Sequence, residues 1–391
     1  MKRIFLLITL LIALGMALSA EQVTVGSMPN QIRLTQSTPD HMVMELTLGQ
    51  FDAKPVTING ATWHELSLKK EGITLEAGFP TLPVLARSVI IPNTALMRLS
   101  LVDSEYVELQ MPVAPSKGNL TRDIDLDSVP YTFGDVYFGD QPWPTENAYL
   151  TEPFILRDYR GITVRFQPFV YFPATQTLRV YTKLSVAIDA SGTDLTNSLP
   201  VAKSSHANEF AGIYRNMFLN FNEAKYPDLA ESGRILAIKH SMFDTVMQPW
   251  VDWKRQHGYR VDVVDVTVAG PTANQIKTYI QNQYDLNDGL MFVQIFGDAP
   301  QVPSLSSGGG GSDPSYALLA GADNYPDIYV GRFSAQNEAE MQTQLQRTVY
   351  YERDIQAGSD WIQRAMGIAS NEGGGGQGDM GESDQQHMEN I

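Results

Sequence analysis

The chain has 391 residues, 43% of them hydrophobic, and no cysteine. That is room for two or three domains with real cores, and it excludes disulfides, an acylated N-terminal cysteine and a thiol nucleophile supplied by these residues. The formal charge of −16 gives a surface that repels nucleic acid and anionic lipid and suits cationic partners or calcium, although general solubility accounts for most of the carboxylates.

Residues 1–20 have a basic start at Lys2 and Arg3, an apolar run and small residues at Ser19 and Ala20, the pattern of a secretory signal peptide cleaved near that point. An uncleaved anchor is the alternative; the polar sequel from Glu21 argues against it. Removing residues 1–20 takes away only Lys2 and Arg3 and leaves −18. No later apolar run is long enough to span a bilayer, so a secreted protein with no transmembrane segment after cleavage is expected.

Residues 21–190 carry short alternating runs such as His41-Met-Val-Met-Glu-Leu-Thr-Leu48 and Leu178-Arg-Val-Tyr-Thr-Lys-Leu-Ser-Val-Ala-Ile188, separated by Pro, Gly, Asn and Asp. Period-two alternation predicts an antiparallel domain of β-sandwich type. Gly78-Phe-Pro-Thr-Leu-Pro83 is a rigid segment unsuited to a central strand. Residues 191–231 turn polar and small, with a short helical piece from Glu209 to Asn220 whose Phe210, Tyr214, Met217 and Phe218 share one face; this reads as a linker with a docking helix.

From residue 232 the rhythm becomes α/β. Strands are predicted from Arg234, from Arg260, over Leu290–Phe296 and over Ile328–Ser334. Helices are predicted over Met242–His257, where Pro249 either kinks the helix or starts a fresh one, over Thr272–Tyr284 and over Glu338–Ile355. Such alternation predicts a parallel sheet with helices on both faces. Leu305–Asp313, with four consecutive glycines, reads as a flexible loop, and Met366–Ala369 as a buried strand.

Beyond that last strand, Ser370, Asn371 and Glu372 open a glycine-rich stretch that delivers Asp379, Glu382 and Asp384. Loops beyond the carboxyl ends of strands in α/β proteins line the site crevice. Glu372 has the position of a carboxylate that orients a histidine, and Asp384 that of a charge matched to a cationic side chain; solvation and N-capping are the plainer readings. A second constellation, Ala320-Gly-Ala-Asp323-Asn-Tyr325-Pro-Asp327, sets two carboxylates four residues apart among carbonyls, a turn chemistry that suits calcium or simply water; Asp298, after a neighbouring strand, could add a third carboxylate. The EF-hand pattern is not met, and no G-x-S-x-G elbow is present. The histidines are scattered, and His257 at a helix end is explained by the macrodipole.

Several segments together resemble the gingipain family of secreted cysteine peptidases: Val251-Asp-Trp-Lys-Arg-Gln-His-Gly-Tyr-Arg260, Phe296-Gly-Asp298, Gly321 through Ser334, Arg347-Thr-Val-Tyr-Tyr-Glu-Arg353, Ile368-Ala-Ser-Asn-Glu-Gly-Gly374 and Gly381-Glu-Ser-Asp384. Residues 232–391 carry most of the likeness; residues 21–220, with Gly78-x-Pro-x-Leu-Pro83, resemble the family's propeptide more weakly. The resemblance implies a caspase-like α/β catalytic domain, here in part, preceded by a propeptide that assists folding and inhibits it. By position Glu372 is similar to the carboxylate supporting the catalytic histidine, and Asp384 to the pocket aspartate that selects arginine at P1. Asp298, Ala320, Asp323, Tyr325 and Asp327 are similar to a calcium site, with Ala320 and Tyr325 offering backbone oxygens. In the family the catalytic histidine, within Gly-His-Gly, and the cysteine follow the Glu-Ser-Asp segment; His387 does not match that histidine.

The expectation is therefore an N-terminal fragment of a secreted cysteine endopeptidase zymogen acting on protein and peptide substrates, inactive without the histidine and cysteine. The domains expected are 1–20 signal, 21–190 propeptide, 191–231 linker and 232–391 the first part of the peptidase. The alternatives are a non-enzymatic secreted protein whose β-rich domain occupies a peptidase cleft, and a calcium-stiffened surface interaction module.

Overall fold

The structure is a computed structural model that describes residues 20–120, 124–125, 128–199, 207–222 and 233–369, with Gln385 and Met388. The signal-like segment 1–19, Glu372 and Asp384 lie outside the described residues. Among the described residues no helix is long and apolar enough to cross a membrane.

The first half is built on antiparallel β-sheets. One sheet runs in the order Phe169–Phe172, Thr177–Thr193, His41–Thr47, Gln31–Ser37, with the long strand Ala95–Gln110 also pairing with Thr177–Thr193. A second runs Phe154–Leu156, Tyr159–Phe166, Pro83–Ile90, Gly72–Ile73, and a third joins Glu21–Thr24, Gln50–Ile58 and Ala61–Ser67. The alternation read from the sequence is the reason they stack. Met42, Met44 and Leu46 are fully buried while His41, Val43 and Glu45 between them are only partly buried. They pack with Leu85 and Val89 of the second sheet and Phe51 of the third in one core. Pro83 opens its strand rather than interrupting one, as its missing N–H requires. The Asn59-Gly60 pair, with φ of 51° and 80°, makes the tight two-residue turn that suits a hairpin's twist.

The second half is a four-stranded parallel sheet in the order Val261–Asp265, Arg234–Lys239, Leu290–Phe296, Tyr329–Phe333. Helix Ala273–Asp285 covers one face through Ile276 and Ile280, packed with Leu236, Ile238, Val293 and Ile295. Helices Gln248–Gln256 and Glu338–Arg353 cover the other through Trp250, Val251, Met341, Leu345 and Val349. Helices therefore lie on both faces. Pro249 sits in the first turn of its helix, where its lost N–H costs nothing, so a fresh start rather than a kink is what it marks. Thr272 caps the next helix in a reciprocal capping box with Gln275, which satisfies two otherwise orphaned donors.

Two expectations fail. Leu305–Asp313 is a hairpin, Leu305–Ser307 paired with Gly310–Ser312. Gly308 and Gly309 adopt φ of 60° and 84°, so the glycine run supplies a left-handed turn instead of slack. Met366–Ala369 is no buried strand: Met366 and Ile368 are each 83% exposed. Among the described residues Tyr329–Phe333 is paired on one side only, and this apolar run does not add a strand to its open edge.

Candidate functional site

At the carboxyl end of the parallel sheet, Lys239 is held between Asp265 at 2.8 Å and Asp244. Asp265 is lowered to about 2. Burial opposes that shift, and the Lys239 ammonium with the amide and hydroxyl of Thr267 overrides it. Asp298 follows the strand Leu290–Phe296 and accepts from Ser334 Oγ at 2.9 Å and Gln336 Nε2 at 3.0 Å, with its pKa lowered first by the Gln336 bond. The loop that leaves this end is pinned by Arg332, whose guanidinium grips both oxygens of Asp313 at 2.6 and 2.7 Å and the carbonyls of Gly297 and Val302 at 2.7 and 2.8 Å. A forked, charge-assisted grip of this kind fixes geometry as well as adding energy. Glu372 and Asp384 lie outside the described residues.

The acidic turn is at the other end. Phe292 pairs with Tyr329 and Phe296 with Phe333, and Asp298 N reaches Ala335 O at 3.0 Å. Asp327 precedes Tyr329, eight residues before Ala335, which at strand spacing places it roughly 25 Å from Asp298. The expected five-residue calcium set is thus not one site: Asp298 and the Asp323–Asp327 turn flank opposite ends of a parallel sheet.

The turn itself is filled. Asp327 is completely buried. Its Oδ2 accepts from the amides of Leu319 at 2.8 Å and Ala320 at 2.7 Å, and its Oδ1 from Arg157 N at 3.1 Å. Asp323 Oδ1 accepts from Tyr325 N at 3.0 Å and Oδ2 from Ile155 N at 2.7 Å. Arg157 Nη1 donates to the Asp327 carbonyl at 2.6 Å, and Lys277 Nζ donates to the carbonyls of Ser315 and Leu318 at 2.9 and 2.5 Å. Burial lowers the Lys277 pKa and the Asp327 charge opposes it. Two cations thus balance two carboxylates. Calcium takes six to eight oxygen ligands, whereas here each carboxylate oxygen faces an N–H. No group of three or more His, Cys, Asp or Glu that could hold a metal occurs among the described residues. In this arrangement the turn does not fit calcium.

What fills it comes from the β-rich half. Ile155 is in the strand Phe154–Leu156 and Arg157 is in the two-residue turn that leads to Tyr159–Phe166, at a φ of 48°. Phe154 stacks on Tyr325 with ring centroids 4.0 Å apart. Asn197 Oδ1 accepts from Ala322 N at 2.7 Å, and its amide donates to Pro153 O at 2.9 Å. Helix Ala211–Met217 completes the contact: Phe210 and Tyr214 join Phe154, Tyr159 and Met291 in one buried cluster, and Tyr329 Oη donates to Glu209 O at 2.9 Å. The docking helix expected from Phe210, Tyr214 and Phe218 is present and lies between the halves.

Residues 21–226 match the C25 propeptide and residues 228–391 match peptidase family C25.

The chain belongs to peptidase family C25.

The boundary between the two matches falls in the linker, which assigns the docking helix to the C25 propeptide. The chain is 38% identical over 328 residues to gingipain R2 of Porphyromonas gingivalis, covering 82% of this chain and 44% of that protein. It is 36% identical over 386 residues to gingipain R1 of the same species, covering 96% of this chain and 38% of that protein. It therefore spans less than half the length of these curated relatives. A solved complex of Porphyromonas gingivalis RgpB pro- and mature domains matches at 31% identity and a TM-score of 0.46, over 49% of this chain and 98% of that one. The filled turn is thus a contact between the C25-propeptide match and the C25-peptidase match.

Phe154, Ile155, Arg157, Asn197 and Glu209 were not singled out in the sequence. The one available signal was Leu156-Arg-Asp-Tyr-Arg160, three charges inside an otherwise apolar strand pair.

Proposed function

We propose that residues 1–391 are the N-terminal portion of a secreted cysteine endopeptidase zymogen that cleaves after arginine, with the propeptide holding the peptidase part until maturation. The observation that carries this reading is the C25 propeptide match seated on the C25 peptidase match through Phe154–Arg157 and the helix Ala211–Met217. The basic, then apolar, then small pattern of residues 1–20 supports export. Arginine preference rests on Asp384, whose position after Gly381-Glu-Ser matches the family's pocket aspartate, and on the greater identity to gingipains R than to Lys-gingipain, 38% against 21%. A carboxylate at the base of a pocket pairs with a guanidinium in a forked geometry that an ammonium does not reproduce. The 391 residues contain no thiol, so on this reading the nucleophile is not among them.

The test uses the complete, matured natural protein and matched peptide substrates with arginine or lysine at P1. Asp384→Asn is expected to lower kcat/KM for arginine by at least about 100-fold, the loss of a buried charge pair. An unchanged arginine preference removes Asp384 from this role.

A further inference from the structure

We propose that the propeptide is not released by the protein's own arginine specificity: the junction between the halves offers no arginine that a peptidase cleft can take, and its cut falls to a second endopeptidase selective for lysine.

Two anchors bound the stretch in which a cut frees one half from the other. The docking helix Ala211–Met217 and the residues just after it are fastened to the β-rich half. Tyr214 and Phe218 are buried in the shared aromatic cluster. Leu219 N donates to Ser88 O at 3.0 Å, and Asn220 exchanges two side-chain bonds with the backbone of Ile90, at 2.7 and 2.8 Å. On the other side the strand Arg234–Lys239 is hydrogen-bonded along both of its edges in the parallel sheet. A cut before the first anchor leaves a piece of the propeptide joined to the peptidase part, and a cut after the second breaks the sheet.

The arginines at these anchors are both shielded. Arg215 is in the last turn of its helix, between the buried rings of Tyr214 and Phe218. An endopeptidase cleft takes its substrate extended, by strand-like backbone pairing, so reaching the bond after Arg215 means unwinding the helix and drawing both rings from the core. Arg234 is 3% exposed. Its Nη1 meets Asp262 Oδ2 and Gln283 Oε1, each at 3.0 Å, and its Nη2 meets Asp288 Oδ1 at 3.2 Å. Opening a core strand approaches the cost of unfolding the whole unit. Between the anchors, residues 216–233 contain Lys225 and no other lysine, arginine or histidine.

The proposal rests on the reading that the peptidase prefers arginine. A pocket carboxylate matched to a guanidinium fork gains much less from the single ammonium of Lys225. The cut itself is a hydrolysis: water gives its hydroxyl to the carbonyl carbon and a hydrogen to the departing nitrogen, and no other co-reactant is needed. Activation of the precursor then follows the supply of a lysine-selective partner and not the amount of matured protein already present.

The experiment uses the complete natural protein as purified precursor, its Lys225→Arg variant, and the matured form prepared from the precursor with a lysine-selective endopeptidase. Peptide substrates first establish the P1 preference of the matured form. A lysine preference there overturns the arginine reading and this inference with it; an arginine preference leaves only this inference at stake. Each precursor, its thiol alkylated, is then incubated with the matured form, and the cut positions are read by mass spectrometry. The variant is expected to be cut after position 225 at least about 100-fold faster than the parent is cut anywhere within residues 216–233, the discrimination a site built for one polar partner achieves. Parent and variant cut there at similar rates overturn the proposal. So does a variant that stays whole, because access and not the P1 residue then blocks the junction, and so does a parent junction that the lysine-selective endopeptidase leaves uncut.

Discussion

Arg160→Met is expected to lower the stability of the propeptide by about 4 kcal/mol, the range for removing one partner of a buried charge pair. Arg160 is completely buried. Its Nη2 meets Asp194 Oδ2 at 2.9 Å and Thr196 O at 2.9 Å, its Nε meets Asn197 O at 3.0 Å, and its Nη1 meets Ala95 O at 2.8 Å and Pro92 O at 3.2 Å. Methionine of similar length fills the space and leaves these carbonyls and the Asp194 carboxylate without their donors. Lysine rescues little, because one ammonium cannot reach so many acceptors in a plane. The consequence extends past the propeptide, since the segment Arg160 grips ends in Asn197, which bonds Ala322 of the peptidase part. Hydrogen exchange of the strand Tyr159–Phe166 under increasing urea measures the loss. A change below 1 kcal/mol would show that water replaces the guanidinium without penalty.

Asp327 carries the second large effect. Asp327→Ala strands the amides of Leu319, Ala320 and Arg157 in a buried place, at about 1–3 kcal/mol for each unsatisfied group; partial relaxation brings the expected total to about 4 kcal/mol. The carboxylate also has a pH signature. Burial pushes its pKa up to about 6 against the three amide bonds, so the folded chain holds a proton that the unfolded chain, near 4, has released. A raised folded value gives a contribution fully present below the unfolded pKa and lost as pH rises through about 6. Relative to Asp327→Asn, the parent chain is therefore expected to gain roughly 1–1.5 kcal/mol of stability between pH 7.5 and pH 5, opposite in sign to the acid loss from Asp265. Denaturant unfolding of the two chains at both pH values measures this. A gap that does not change with pH contradicts a desolvated Asp327.

Local periodicity made most of the fold legible. The His41–Thr47 alternation and the Leu290–Phe296 apolar run bury as their patterns require, and Thr272 and Pro249 mark helix starts by chemistry that acts within one turn. Features that depend on distant partners were not legible. The four-glycine run could not announce a hairpin without its left-handed turn, and Met366–Ala369 could not announce its exposure. Asp298, Asp323 and Asp327 read as one cluster because each is an acid beside a strand. Only the parallel register shows that they lie at opposite ends. Likewise Arg157 and Asn197 matter through Asp327 and Ala322, which are 170 and 125 residues away in the chain.

The C25-propeptide half grips the C25-peptidase half through a buried aromatic cluster. The most direct measurement cuts the chain at a specific protease site inserted between residues 223 and 232 and follows the products by sedimentation in EDTA. The cut halves are expected to stay together one to one at about 1 µM, as an interface with a buried aromatic cluster sustains. Halves that sediment independently at that concentration would contradict it.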